Sequence, residues 1–260
     1  MSAQIVGLSM LHCLGQPFRM MVRQLCKAPS IHVEIVDEGL HSLNGKRARV
    51  LREIGESYGF VYSVHAPFAD VNVASPSRSF LRMAMKRLKR SLAYASFLGA
   101  RIWVVHPGCR TGISMFYPGK EWRQNSESIL ELAKLSEDAG VMMALENMPE
   151  KYGFLMSNPE DFNRLLAEAP ADFGVTLDVG HANLNRQIHE FIEHLSKKIV
   201  HVHASDNFGE ADQHLGVGYG AIDWRLFAEN LKKTCFSGTV VVESVEHVDE
   251  SVQTLRRLLS

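Results

Sequence analysis

Six stretches of this 260-residue chain place a histidine or a carboxylate at the end of an apolar run. They are VHAPF at His65, VVHPG at His106, ALENM at Glu146, LDVGHAN at Asp178 with His181 following, HVHASDN at His203, and VVESV at Glu243. Between the last two runs, GEADQHLGVGYGAIDW adds Asp212 and His214. These nine residues offer only nitrogen and oxygen donors and no thiol. One such histidine would be an ordinary structural residue. The joint pattern is hard to explain by packing, because buried charges need partners. A divalent cation supplies that partner. The mixed imidazole and carboxylate set favours zinc, manganese, cobalt or iron over calcium, and makes magnesium a weaker candidate.

The elements that must position these groups are short β-rich runs at 5–10, 31–36, 60–65, 101–106, 141–146, 173–178, 198–203 and 239–244. A helical pattern follows each. Leu81, Met85, Leu88, Leu92 and Ala95 form one buried stripe, with Gly99 as the stop. Ile129, Leu132, Ala133 and Leu135 form another, and Asp223 is placed to cap IDWRLFAENLKK. The last helix reads ESVQTLRRLL. Eight alternating strand–helix units of this length predict a single (β/α)₈ TIM barrel domain over residues 1–260. A doubly wound open sheet would carry a glycine fingerprint after its first strand, and LHCLGQPF is not one. In such a barrel the strand C-termini share one mouth, which is where the nine donors fall. Strand alternation is read here as turning His201 to the opposite side of its strand from His203. Gly216, Gly218 and Gly220 let the backbone turn tightly beside the site. No Gly-Lys-Ser/Thr follows, so they are not a phosphate loop.

Bulk properties narrow the field further. The residues are 46% hydrophobic and 22% charged, with a net charge of −1. No global field draws the protein to nucleic acid or an anionic membrane. Cys13, Cys26, Cys109 and Cys235 form no CxxC pair, which fits reduced thiols and a cytoplasmic location. No apolar stretch is long enough to span a membrane, and the N-terminus reads as a strand and not as a signal peptide. The basic run Arg82, Lys86, Arg87, Lys89 and Arg90 reads as a solvated helix face away from the mouth.

The series VHAP, VVHPG, LENMP, LDVGHAN, HVHASDN, DQHLGVGYGAIDW and VVES resembles the xylose isomerase-like TIM barrel superfamily over almost the whole chain. That superfamily joins sugar and sugar-phosphate isomerases and epimerases with endonuclease IV, the abasic-site nuclease. Resemblance to the single-metal sugar enzymes implies that Glu146, Asp178, His203 and Glu243 hold one divalent ion. Glu146 and Glu243 would also exchange protons with a small sugar or sugar phosphate through a metal-stabilised enediolate. His181 would hydrogen-bond a sugar oxygen, and Glu34 at the end of the second strand is a second candidate contact. Resemblance to endonuclease IV implies three zinc ions instead. His65, His106 and Glu146 would hold one, Glu146, Asp178, His203 and Glu243 a second, and His181, Asp212 and His214 a third. Abasic DNA would then be the substrate.

LENMP, DVGHAN and the SDN–GxGxIDW stretch lean toward the sugar branch. So does the acidic loop DEGLHSLNG, which is expected to repel phosphates. HAPFADVNVASP leans the other way, with Phe68 where a DNA wedge would sit; a lid or pocket wall is the expected role of this ring. Free-ketose 3-epimerases typically carry an arginine just after the His203 motif, whereas Phe208, Gly209 and Glu210 stand here. A metal-binding barrel without catalysis would be expected to lack a ligand, and all nine are present.

Overall fold

The computed structural model describes residues 5–168 and 172–260. Eight parallel strands close into a barrel in sequence order. They are β1 (Ile5–Ser9), β2 (His32–Val36), β3 (Val61–His65), β4 (Ile102–Val105), β5 (Met142–Glu146), β6 (Gly174–Asp178), β7 (Ile199–Ala204) and β8 (Thr239–Val242). β1 pairs with β8 from Ile5↔Thr239 to Leu8↔Val242, which seals the ring. Most of these runs are buried on both faces, so they are near-continuously apolar apart from the inward positions discussed below.

The helices lie between the strands: α1 (Phe18–Leu25), α2 (Gly45–Tyr58), α3 (Arg78–Leu98), α4 (Lys120–Asp138), α5 (Pro159–Glu168), α6 (Val179–Leu184), α7 (Ile188–Leu195), α8 (Trp224–Lys232) and α9 (Val248–Leu259). The stripe on α3 is buried at Met85, Leu88, Leu92 and Ala95, and Gly99 ends the helix with φ 67°. That left-handed turn suits a residue without Cβ. On α4 the buried residues include Ile129, Leu132 and Ala133, while Leu135 packs at the core's edge. Asp223 caps α8 through the N–H groups of Arg225 and Leu226. Trp103 on β4 is fully buried and donates its ring N–H to Ser91 of α3, binding sheet to helix. No described helix is long and apolar enough to cross a membrane.

The basic face of α3 is not simply solvated. Arg87 reaches across to Glu38 in the loop after β2 and to the Ala69 carbonyl, and Lys89 pairs with Glu131 of α4. The acidic loop also differs from expectation. Asp37 and Glu38 are 4% and 7% exposed, with Asp37 accepting from the Leu43 N–H and Glu38 from the N–H groups of Gly39, Phe68 and Ala69. Both carboxylates serve internal hydrogen bonds, so this loop presents no acidic front to a phosphate.

Candidate metal centre

Strand register sets the site. Asp178 pairs with His203 across β6 and β7, and Glu146 ends β5 opposite Thr176. Glu243 follows β8, its N–H held by the Ala204 carbonyl. His203 Nδ1 therefore faces three carboxylates: Glu243 Oε2 at 3.3 Å, Glu146 Oε1 at 3.4 Å and Asp178 Oδ2 at 3.9 Å. One donor atom from each of the four lies within 4.8 Å of the others, and all four side chains are buried. Among the described residues, His203 Nδ1, Asp178 Oδ2 and Glu146 Oε2 have no hydrogen-bond partner. Buried polar atoms without partners are costly; a cation among the four would satisfy His203 Nδ1 and Asp178 Oδ2, while Glu146 Oε2 faces His65 and His106. The donor set thus fits a divalent ion.

A second group shares Glu146. Its Oε2 lies 3.4 Å from His65 Nε2 and 3.2 Å from His106 Nε2. The third trio is joined through one atom, since His181 Nε2 and His214 Nε2 each lie 3.3 Å from Asp212 Oδ2. The structure thus brings all nine sequence-derived donors to one mouth. Three imidazoles are oriented by backbone carbonyls: His65 Nδ1 on Ala66 O, His181 Nδ1 on Asn147 O and His214 Nδ1 on Glu243 O. A proton on Nδ1 leaves each Nε2 lone pair free for a cation. His214 adopts φ 48°, an uncommon left-handed conformation for a side-chain-bearing residue.

The electrostatics follow from crowding. Burial opposes charge on Glu146, but His203 and His106 hold its carboxyl well below the ordinary range. Burial raises Glu243 to about 7, against the pull of His203 and His214. Burial likewise lifts Asp178, against His181. Burial disfavours the imidazolium of His65, yet Glu146 raises it to about 9. The same contest puts His181 at about 10 beside Asp178 and Asp212, and His214 at about 9 beside Asp212 and Glu243. His106 is lowered, because burial outweighs Glu146.

Two expectations need correction. His201 does not face away from the site's axis. Residues two apart on a strand share a face, and His201 Nε2 lies 2.9 Å from Glu34 Oε2 while His203 Nε2 lies 3.1 Å from Glu34 Oε1. Glu34 does not stand at the open mouth, where a sugar contact was expected: it is 0% exposed and both its oxygens meet imidazoles inside the barrel. Phe68 lies against the site: its ring stacks over His106 at 5.5 Å and meets His65 edge-on at 5.3 Å. Phe154 closes on His106 from another side at 6.4 Å.

Sequence reasoning missed two organising residues. Asn147 is fully buried; its side chain accepts from the Asp178 N–H and donates to the Asp178 carbonyl, tying β5 to β6. A fully polar residue directly after Glu146 was the available signal. Asp206 is also fully buried and accepts from the N–H groups of Asn207, Gly218 and Ile222 and from the Trp224 ring. The glycine loop wraps around this carboxylate. Gly218 supplies φ 89°, and a Cβ at Gly220 would lie 2.3 Å from Asp206 Oδ1.

Fold and site together define a (β/α)₈ barrel with an imidazole–carboxylate cluster in its mouth. Over residues 30–259 the sequence matches the xylose isomerase-like TIM barrel family, and the chain belongs to that family. An uncharacterized protein of Methanocaldococcus jannaschii is 34% identical over 215 residues, covering 81% of this chain and 73% of that protein. The Mesomycoplasma hyopneumoniae protein named Probable endonuclease 4 is 28% identical over 188 residues, 66% of this chain and 63% of its own. A solved structure described as a D-tagatose 3-epimerase-like protein has a TM-score of 0.93 and 30% identity, covering 98% of this chain and 97% of that one. A D-psicose 3-epimerase structure shares the fold at a TM-score of 0.77 and 13% identity, covering 98% of this chain and 97% of that one.

Proposed function

We propose that this chain is a divalent-cation-dependent isomerase or epimerase of sugars or sugar phosphates. The observation that carries the reading is the pair of carboxylates, Glu146 and Glu243, set 3.4 Å and 3.3 Å from the same imidazole nitrogen of His203. They come from β5 and after β8, so a small substrate in the mouth meets them from different sides. Glu146, Asp178, His203 and Glu243 would hold the ion. When bound, such an ion supplies Lewis-acid polarisation of a substrate carbonyl. One glutamate takes the proton from the carbon beside that carbonyl, leaving an enediolate, and a glutamate carboxyl returns a proton to complete the rearrangement. Phe68 and Phe154 keep water from the His106 side. His181, fixed by Asn147, turns Nε2 toward the rim beside Asp212, where it would hydrogen-bond a substrate hydroxyl. The 30% identity to a D-tagatose 3-epimerase-like protein supports the sugar class.

The convergence of all nine donors favours one second reading, zinc-dependent hydrolysis of phosphodiesters at abasic DNA sites with up to three ions. Phe68 weighs against it, because a DNA wedge needs a ring free to leave the surface, and this ring lies against two histidines. The test is a screen of Mn²⁺- and Co²⁺-loaded protein on ketoses and ketose phosphates, with an abasic duplex under Zn²⁺ in parallel. The expected result is interconversion of a sugar pair, abolished by Glu243→Gln and only weakened by His214→Ala. Cleavage of the duplex, or equal damage from the two substitutions, contradicts the isomerase reading.

A further inference from the structure

One step below the site, the barrel interior is polar where parallel barrels usually pack branched aliphatic residues. Glu34, Ser63, Thr176 and His201 stand there, at 0%, 7%, 0% and 1% exposure. Each lies two residues from a neighbour at or near the mouth, so strand alternation turns it inward. Glu34 is the centre of this layer. Its Oε2 accepts from Ser63 Oγ at 3.1 Å and from His201 Nε2 at 2.9 Å, and its Oε1 lies 3.1 Å from His203 Nε2. A buried ion pair of this kind is weak support for stability, since apolar residues of equal volume serve a core as well or better. Its geometry points elsewhere. An imidazole that donates from one nitrogen presents a lone pair on the other. The 3.1 Å ion pair with Glu34 Oε1 favours the ring proton on Nε2, an atom with no other partner, so that a cation displacing the Nδ1 proton would meet the Nδ1 lone pair among Glu146, Asp178 and Glu243. His201 and Ser63 occupy the second oxygen of Glu34 and fix the plane of its carboxylate.

We infer that Glu34 and His201 are positioning residues that act through His203 to set the affinity of the mouth for its cation, with His201 working through Glu34 and not independently of it. This rests on the reading of Glu146, Asp178, His203 and Glu243 as the cation site. Outer partners of metal-binding histidines are worth about 10- to 100-fold in affinity. The size of the effect here should sit in that range, because the contact is fully buried and the acceptor is charged.

The test is Mn²⁺ titration of the metal-free full chain by calorimetry, for the wild type, Glu34→Gln, His201→Phe and the double variant. Thermal melting of each metal-free protein checks folding. Mn²⁺ binding by the wild type bears on the cation-site reading, and the variants bear on the positioning roles. The expected result is about 10- to 100-fold weaker binding for Glu34→Gln. His201→Phe should be weaker by roughly 3-fold or more, and the double variant no weaker than Glu34→Gln alone, the non-additivity of residues acting in series. In the Zn²⁺-loaded wild type, ¹⁵N NMR should place the His203 ring proton on Nε2, and Glu34→Gln should move that signal. If Glu34→Gln fails to fold, Ser63→Ala removes one donor from Glu34, and the expected loss is more than 2-fold but below the about 10-fold of a direct outer partner. Affinity within 2-fold of wild type for Glu34→Gln, or for Ser63→Ala in its place, overturns the inference. So do additive losses in the double variant. A second equivalent of Mn²⁺ bound by the wild type and lost in both single variants would also overturn it, by making Glu34, His201 and His203 a cation site themselves. No Mn²⁺ binding by the wild type would remove the cation-site reading and this inference together.

Discussion

Cation uptake at this mouth should be an exchange of protons for metal, and raising the pH should strengthen it. In the metal-free protein, burial disfavours a charged His203, but Glu243, Glu34 and Glu146 hold its pKa well above 6.5, which favours the doubly protonated ring. Glu243, raised by burial to about 7, also carries protons near neutral pH. Filling the Glu146–Asp178–His203–Glu243 group must expel protons from both. Affinity should then climb with pH, about 10-fold per pH unit for each proton displaced. A further ion at His65, His106 and Glu146 would also expel the His65 proton. With His65 at about 9, that removal costs about 3 kcal/mol at pH 7. The folding linkage has the opposite sign. Stability contributed by the raised His65, His181 and His214 is fully present below pH 6.5 and is lost as pH rises through about 9 to 10. The metal-free protein should therefore melt at falling temperature over that window while the loaded protein gains. Calorimetry of Mn²⁺ binding in buffers of different ionisation enthalpy, at several pH values from 6 to 8, measures both slope and proton count. Affinity that is flat or falls with pH would refute the proton-exchange argument.

Asp206→Ala strands four donors in a buried loop and should cost about 3–5 kcal/mol, lowering the melting temperature by roughly 10 °C in a thermal scan. Gly220→Ala drives a methyl against Asp206 Oδ1 and the Asn207 carbonyl; about 1–3 kcal/mol is the expected loss by chemical denaturation, and an unchanged midpoint would show that the loop yields freely. Phe68→Ala should leave the fold within about 1–2 kcal/mol of wild type, since the ring is only half-buried, while opening the site to water. Its signature is a raised KM with a lowered kcat for the sugar, and unaltered kinetics would deny it a role as a wall.

The barrel was legible because parallel strands buried on both faces are apolar runs, and because polar residues at their ends stand out against them. His65, His106, Glu146, Asp178, His203 and Glu243 were readable for that reason. What lay one layer down was not. Glu34 and His201 sit within apolar runs, 167 positions apart, and only the closed register of β2, β3 and β7 brings them together. His201 shares its face of β7 with His203, since positions two apart on a strand face the same way. Arg87 and Glu38 are 49 positions apart, and their pairing converted an apparently solvated face and an apparently acidic loop into one clamp on the Phe68 segment. Asp206 organises the glycine loop through contacts with residues up to 18 positions away, which local propensity does not register.

The most direct test of the central claim is exchange of substrate carbon-bound hydrogen with solvent. Metal-loaded protein in D₂O would be incubated with ketopentoses, ketohexoses and their phosphates and followed by ¹H NMR. The account predicts loss of the signal from the hydrogen beside the carbonyl for at least one sugar, dependent on added cation and absent in Glu243→Gln. No exchange with any of these sugars by a protein that binds the cation tightly, together with cleavage of an abasic duplex, would contradict it.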